Sequence, residues 1–290
     1  MITDLVGTLV SHARPDTFPV LRLIRGPTVT VGARTVDLPE GSKRLLAFVA
    51  LRGGQVDRQY AAGTLWPSGG DARAAGNLRS ALWRLNGDRM RLLAGDRHTL
   101  MLRKEVLVDV HLVAEWSSRL VAGTASGVDM KVPPLVVDAF ELLPGWFDDW
   151  VLLERECLRQ RILHALEALS RSHSWAGCHA HAVDAAMAAV AVEPLRESAQ
   201  RVLIEAHLAE ANHVEARRCY DAYCELAHRE LGVEPSADLR DLVYRSLRMR
   251  VVELQSQSIY NQAVGTSPAV PSAGHPFDAA SCLSNGRHQQ

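Results

Sequence analysis

Four polar side chains in the stretch DARAAGNLRSALWRL (residues 71–85) are spaced for contact with nucleic-acid bases. They recur at i, i+4, i+7 and i+11, as Arg73, Asn77, Ser80 and Arg84. Because these steps follow the helical period, one helix would present all four side chains on one face. Arginine can hold guanine, and asparagine can hold adenine, through two hydrogen bonds each. The alternative is an amphipathic helix whose polar face meets only water.

The helix that would carry these side chains is predicted over residues 72–85. Its opposite side is apolar and would face a core, through Ala74, Leu78, Ala81, Leu82 and Leu85. Asp71 is predicted to cap its first turn, and Asn86-Gly87 to end it. Trp83 could pack against a following hairpin or touch sugar and phosphate, and we expect packing.

Other basic side chains near this helix could contact the DNA backbone or a second groove. Arg79 flanks the polar face and suits a phosphate. Arg97 and His98 occupy the tight turn of a predicted hairpin, and the corresponding turn of a winged helix can enter the minor groove. An ordinary exposed turn is the alternative. Arg91, together with Arg89, precedes the hairpin and could contact phosphate.

The surrounding elements follow the order strands, helix, helix, helix and hairpin. Three short strands are predicted, at residues 21–25, 28–31 and 34–38. A buried helix follows from residue 41 to Gly53-Gly54, and Lys43 and Arg44 at its start could also meet a phosphate. Asp57 is predicted to cap the second helix, residues 58–66. This order predicts an α+β winged helix-turn-helix with a small antiparallel sheet in front.

From about residue 105 the sequence predicts helices almost throughout. The predicted helices lie at residues 111–121, 150–172, 177–192, 195–211, 213–231 and 236–254. His179 and His213 lie 34 residues apart, as do Ala182 and Ala216. Each pair falls at the start of the second helix of a helix pair, and this period is the tetratricopeptide spacing. The second half is therefore predicted to be an all-α, tetratricopeptide-like domain.

The net charge of −1 hides an asymmetry between these two halves. Residues 41–103 carry eleven basic and four acidic side chains, whereas residues 105–254 carry fifteen basic and twenty-four acidic ones. The basic half can sit on a polyanion, which would repel the acidic half. Four segments are predicted: a leader at 1–18, the winged helix-turn-helix at 19–104, the helical domain at 105–254 and a disordered tail at 255–290.

Several functional classes find no support in the sequence. The five cysteines are scattered, so they predict no disulfide framework, and a reducing cytoplasmic compartment fits them. In GCHAH (residues 177–181), His179 and His181 would point apart on a helix, so no metal site is predicted. No phosphate-binding GxxxxGK[ST] loop or nucleophile motif is present. We therefore expect no cofactor, no catalytic activity and no membrane-spanning helix.

Four sequence motifs resemble those of a known protein family. They are NLRSALWRL (77–85), LLPGWFDDWVLLERE (142–156), VEPLRESAQRVLIEAHL (192–208) and ELGVEPSADLRDL (230–242). With a basic winged helix before acidic helical repeats, they make the chain resemble the Streptomyces antibiotic regulatory protein family over about residues 21–254. Members of that family join an OmpR-type DNA-binding domain to a bacterial transcriptional activation domain. The hairpin departs from the family, because it reads GDRHTLML where a Gly-Tyr pair is usual.

The resemblance implies a transcriptional activator. Such a protein would bind direct repeats in double-stranded promoter DNA, with further copies of itself alongside, and recruit RNA polymerase holoenzyme to a secondary-metabolite gene cluster. It would be cytoplasmic and nucleoid-associated, with no membrane partner. The alternative is a protein-interaction module whose repeats bind a partner and whose winged helix no longer reads DNA; the altered hairpin favours it.

Overall fold

The N-terminal sheet combines a local meander with one distant strand. The computed structural model describes residue 10 and residues 18–86, 91–131, 141–246 and 248. Strands β1 (Pro19–Arg22), β2 (Thr28–Val31) and β3 (Arg34–Val36) form the predicted antiparallel meander. Strand β7 (Leu107–Val108) pairs in parallel with β1, which gives the order β3-β2-β1-β7. The sequence did not predict β7, because two residues are too few for a recognisable strand pattern.

Three helices follow the meander as predicted. They are α1 (Glu40–Leu51), α2 (Arg58–Leu65) and α3 (Gly70–Asn86). The Asp57 side chain accepts a hydrogen bond from the backbone N–H of Tyr60 at 2.8 Å, so the predicted cap of α2 is confirmed. The predicted cap of α3 is wrong, because α3 begins at Gly70 and Asp71 lies within its first turn. A carboxylate there still interacts favourably with the helix dipole.

A second sheet contains the hairpin that follows α3. Its strands are β4 (Gln55–Asp57), β5 (Leu93–Gly95) and β6 (Thr99–Leu102), in the order β4-β6-β5. Both pairings are antiparallel, with Val56 opposite Leu100 and Gly95 also opposite Leu100 on the other side. The short link between α1 and α2 therefore becomes the third strand of the hairpin sheet. Strand β6 also packs against α1.

The rest of the described chain is helical. Its helices are α4 (Asp109–Val121), α5 (Asp149–Trp175), α6 (His179–Val192), α7 (Glu197–Ala209) and α8 (His213–Leu231), with further helical residues at 237–246. Each of the helices α5, α6 and α7 packs against the helix that follows it, and α5 also packs against α7. His179 and His213 are the first residues of α6 and α8, as the 34-residue period predicted. No helix in the described part of the chain is long and apolar enough to span a bilayer.

The winged-helix elements and the helical elements share one hydrophobic core. Phe48 of α1 meets the ring of Trp150 of α5 edge-on, with 5.1 Å between ring centroids. Arg44 donates to both carboxylate oxygens of Asp148, at 3.0 and 2.5 Å, and lies over the ring of Trp146. Arg44 therefore joins the two halves, and the idea that it contacts phosphate is wrong. The predicted boundaries at residues 104 and 254 remain predictions.

Asp109 anchors the sheet to the helical half. Its side chain is fully buried and accepts hydrogen bonds from the backbone N–H groups of Leu23 and Ile24, each at 2.9 Å, and of Val110 at 2.7 Å. The backbone of Leu143 in turn donates to the Leu23 carbonyl at 2.9 Å. The segment after β1 is thus held between α4 and the approach to α5. Burial, the largest effect on this group, raises the pKa of the Asp109 carboxyl to about 6, although the three N–H donors lower it.

This raised pKa predicts a pH-dependent stability. Between the usual value of 3.8 and about 6, the unfolded chain ionises Asp109 while the folded chain keeps the proton. The contribution of Asp109 to the free energy of unfolding is therefore fully present below about pH 4. It decreases by about 3 kcal/mol as the pH rises to 6. In urea unfolding, the free energy of unfolding of wild type should fall by that amount, relative to that of Asp109→Asn, between pH 4 and 7. A constant difference would contradict the prediction, and exposed Asp184→Asn controls for loss of one carboxylate.

Candidate nucleic-acid interface

Helix α3 has the apolar side that its sequence predicted. Its buried residues are Ala74, Leu78, Ala81 and Leu85, with Leu82 packed against the same core. The buried Ser42 hydroxyl of α1 donates to the Ala81 carbonyl at 3.1 Å, which fixes the helix on its support. The opposite side of α3 is therefore held in a defined orientation towards solvent.

The outward side of α3 is basic and exposed. Arg73, Arg79, Ser80 and Arg84 are all exposed, whereas Asn77 is half-buried at the edge of this face. The Ser80 hydroxyl donates to the carbonyl of Gly76 at 3.1 Å, so its oxygen remains available chiefly as an acceptor. The face thus offers the guanidinium donors of its arginines and the hydroxyl acceptor of Ser80. Asn77 lies at its edge.

Trp83 lies on this outward face, and the expectation that it packs against the hairpin is wrong. Its side chain is 77% exposed. The helical period explains this, because Trp83 follows Ser80 by three residues and Arg79 by four, and so shares their face. The hairpin packs against α1 instead, through β6.

The turn of the hairpin is held in a fixed shape. Asp96 Oδ1 accepts hydrogen bonds from the backbone N–H groups of His98 at 2.7 Å and Thr99 at 2.8 Å. The hydrogen bond from His98, followed by that from Thr99, is the main reason why the pKa of Asp96 lies below its usual value. Arg58 N donates to the His98 carbonyl at 2.8 Å, and its guanidinium to the Asp96 carbonyl at 3.3 Å. The turn therefore presents exposed Arg97 and His98 from a rigid base.

A cleft of about 370 Å³ brings the hairpin turn and α3 together. Its basic lining comes from three elements, as Arg58, Arg79, Arg97 and His98. The acidic side chains that line it are Asp57 and Asp71. Arg91 is exposed just before β5 and does not line this cleft, while Arg89 lies outside the described residues. Arg58 is the basic residue that the sequence did not single out, and its position directly after the Asp57 cap was the available signal.

The arginines of this surface differ from those of the helical half in their ion pairing. The arginines of α3 and the hairpin region make no ion pair with an acidic side chain anywhere in the described chain: Arg73, Arg79, Arg84, Arg91 and Arg97. In the helical half, by contrast, Arg119 pairs with Asp129, and Arg196 with Glu167. Unneutralised guanidinium groups on one fixed surface can bind a polyanion.

His181, near the start of α6, packs against a histidine of α5. His181 stacks on His173, with 5.3 Å between ring centroids, and burial lowers the pKa of His173. Within the described ranges, no three His, Cys, Asp or Glu side chains group closely enough to hold a metal ion.

Two comparisons with known proteins found similarities to this chain. Residues 137–247 match the family described as the bacterial transcriptional activator domain. A solved structure of Mycobacterium tuberculosis EmbR, in complex with a low-affinity phosphopeptide, is similar with a TM-score of 0.58 and 18% identity. That match covers 80% of this chain and 65% of the EmbR chain, so this chain spans less than two thirds of the length of EmbR. No curated protein matches the chain.

The family match describes the helical half of the chain, and the structural match describes the fold of most of it. The chain contains a bacterial transcriptional activator domain, and it has the fold of an EmbR-like protein. The part of the family resemblance that concerns the helical half is thereby confirmed, because that half contains the bacterial transcriptional activator domain that the resemblance implied. The α+β winged helix with helical repeats behind it is confirmed as the fold class.

Proposed function

We propose that this chain is a sequence-specific activator that binds direct repeats in promoter DNA and recruits RNA polymerase holoenzyme. Its OmpR-type winged helix would place α3 in the major groove, with copies of the chain side by side on successive repeats. The target would be a secondary-metabolite cluster, such as one for antibiotic biosynthesis. The observation that carries the proposal is the set of exposed arginines on α3 and the hairpin region that form no ion pair with any described acidic side chain.

The parts of this surface have separate roles in the proposal. Arg73, Asn77, Ser80 and Arg84 would meet base edges, where hydrogen bonds discriminate between base pairs. Arg79 and Arg91 would bind phosphates and set the register. Arg97 and His98 would enter the adjacent minor groove. The acidic helical half would stay off the DNA and would contact polymerase.

A mobility-shift assay at several salt concentrations tests the proposal. The probes are intergenic fragments from the neighbourhood of the gene that encodes this chain, with the full chain as the protein. We expect retardation of at least one fragment, with a slope of log affinity against log salt of about −3 or steeper, since each neutralised phosphate contributes about −0.9. If every fragment migrates unretarded at low salt, the proposal fails and the protein-interaction module is the better account.

Loss of the Asp96 side chain should weaken binding through the wing. In Asp96→Ala, the N–H groups of His98 and Thr99 lose their acceptor, so the turn samples more shapes before it meets DNA. We expect affinity for the retarded fragment to fall about threefold to tenfold, because ordering the turn then opposes binding. Fluorescence anisotropy measures the change, and Asp96→Asn, which keeps an acceptor oxygen, should lose less. Equal affinity of Asp96→Ala and wild type would contradict the role of the wing.

A further inference from the structure

Trp83 places a large apolar group near the middle of the outward face of α3. Its 77% exposed indole lies one helical turn beyond Arg79 and Ser80, with Arg84 as its neighbour in the chain. An exposed tryptophan of this size gains free energy only when a partner covers it. Exposure alone does not identify a partner, because Trp175 at the end of α5 is 86% exposed, so the surroundings of Trp83 must distinguish its surface.

The charges around Trp83 decide which partner covers it. Arg73, Arg79 and Arg84 share the surface and make no ion pair with an acidic side chain in the described part of the chain. A second copy of this surface would bring like charges together, whereas double-stranded DNA supplies the opposite charge. The partner must also offer an apolar group within the reach of a helix lying in the groove.

The C5-methyl group of thymine is the apolar group that B-form DNA displays in the major groove. We propose that Trp83 contacts this methyl group and selects a T·A pair at one position of each bound repeat. The inference rests on the proposed function, because it requires α3 in the major groove. It assigns Trp83 to base readout, whereas the arginines beside it bind phosphate or guanine.

Replacement of single thymines by 2′-deoxyuridine tests this inference, because it removes only the methyl group. Duplexes that the full chain enriches from a random-sequence library provide the parent site, and each thymine in it is replaced in turn. At one thymine per repeat, wild-type binding should weaken about fourfold, the effect expected for one buried methyl group. Trp83→Ala should bind the parent duplex about tenfold more weakly and should be insensitive to the same replacement. Trp175→Ala, which removes an 86% exposed tryptophan from the end of α5, should behave as wild type.

Three other results would overturn the inference. If Trp83→Ala weakens binding and no deoxyuridine replacement affects wild type, the indole touches the backbone and not a methyl group. If Trp83→Ala changes only the cooperativity between adjacent copies, a second copy covers the indole. If wild type enriches no sequence at all, the proposed function itself fails, and this outcome is distinct from the first two.

Discussion

Replacing Arg73 and Arg84 together by alanine should weaken binding of the full chain to its promoter site by about 30-fold or more. Each arginine that holds a base contributes about 1–3 kcal/mol of discrimination, so two lost pairs also flatten the preference between bases. Both side chains are exposed, so the double variant should fold normally. Anisotropy titrations against the parent duplex and single-base variants of it measure both effects.

The matched control for this variant removes the same charge from the helical half. Arg218 and Arg229 are exposed and pair with Glu215 and Glu230, so Arg218→Ala with Arg229→Ala should leave DNA affinity within about twofold of wild type. Arg79→Ala provides a contrast, because loss of a phosphate contact should weaken binding to all DNA sequences about equally. It should also reduce the slope of log affinity against log salt by about 1. If the Arg73 and Arg84 double variant binds as wild type does, α3 does not read DNA.

Trp150→Ala should destabilise the whole described fold by about 3–5 kcal/mol, the usual cost of truncating a buried tryptophan. Trp150 is buried where the two halves meet, edge-on to Phe48 at 5.1 Å and to Trp146 at 6.2 Å between ring centroids. Urea unfolding measures the change. The described residues up to Tyr244 form one compact unit, so wild type should unfold in a single transition.

Two further tryptophan variants make this stability prediction specific. Trp150→Phe keeps an aromatic ring, and the Trp150 Nε1 atom has no hydrogen-bond partner in the described structure. This variant should therefore lose less than half as much stability as Trp150→Ala. Exposed Trp175→Ala should stay within about 0.5 kcal/mol of wild type. If Trp150→Ala also stays within that margin, the joint between the halves contributes little to stability.

The sequence predicted the parts of the interface that depend on local periodicity. The core side of α3 follows from apolar residues at helical spacing, and Ala74, Leu78 and Leu85 are indeed buried. The hairpin and its turn follow from Gly95-Asp96 between two short apolar runs. The expectation for Trp83 was wrong, because the usual preference of tryptophan for burial is overridden here by its angular position on the helix.

The sequence could not predict the features that depend on distant contacts. The Asp109 carboxylate meets backbone N–H groups 86 and 85 residues away, and Arg44 meets Asp148 across 104 residues. Neither residue stands out in its own neighbourhood, since Arg44 resembles any basic side chain at a helix start. Both residues hold distant segments together, and only the fold brings their partners close to them.

Footprinting of the full chain on the intergenic regions flanking its gene tests the central claim most directly. We expect protection of two or more repeats in the same orientation, spaced by about one helical turn of DNA or a multiple of it, since copies lie head to tail on one face. The Arg73 and Arg84 double variant should leave the same regions unprotected at equal concentration. Absence of any protected sequence, or protection that the double variant retains unchanged, would contradict the account.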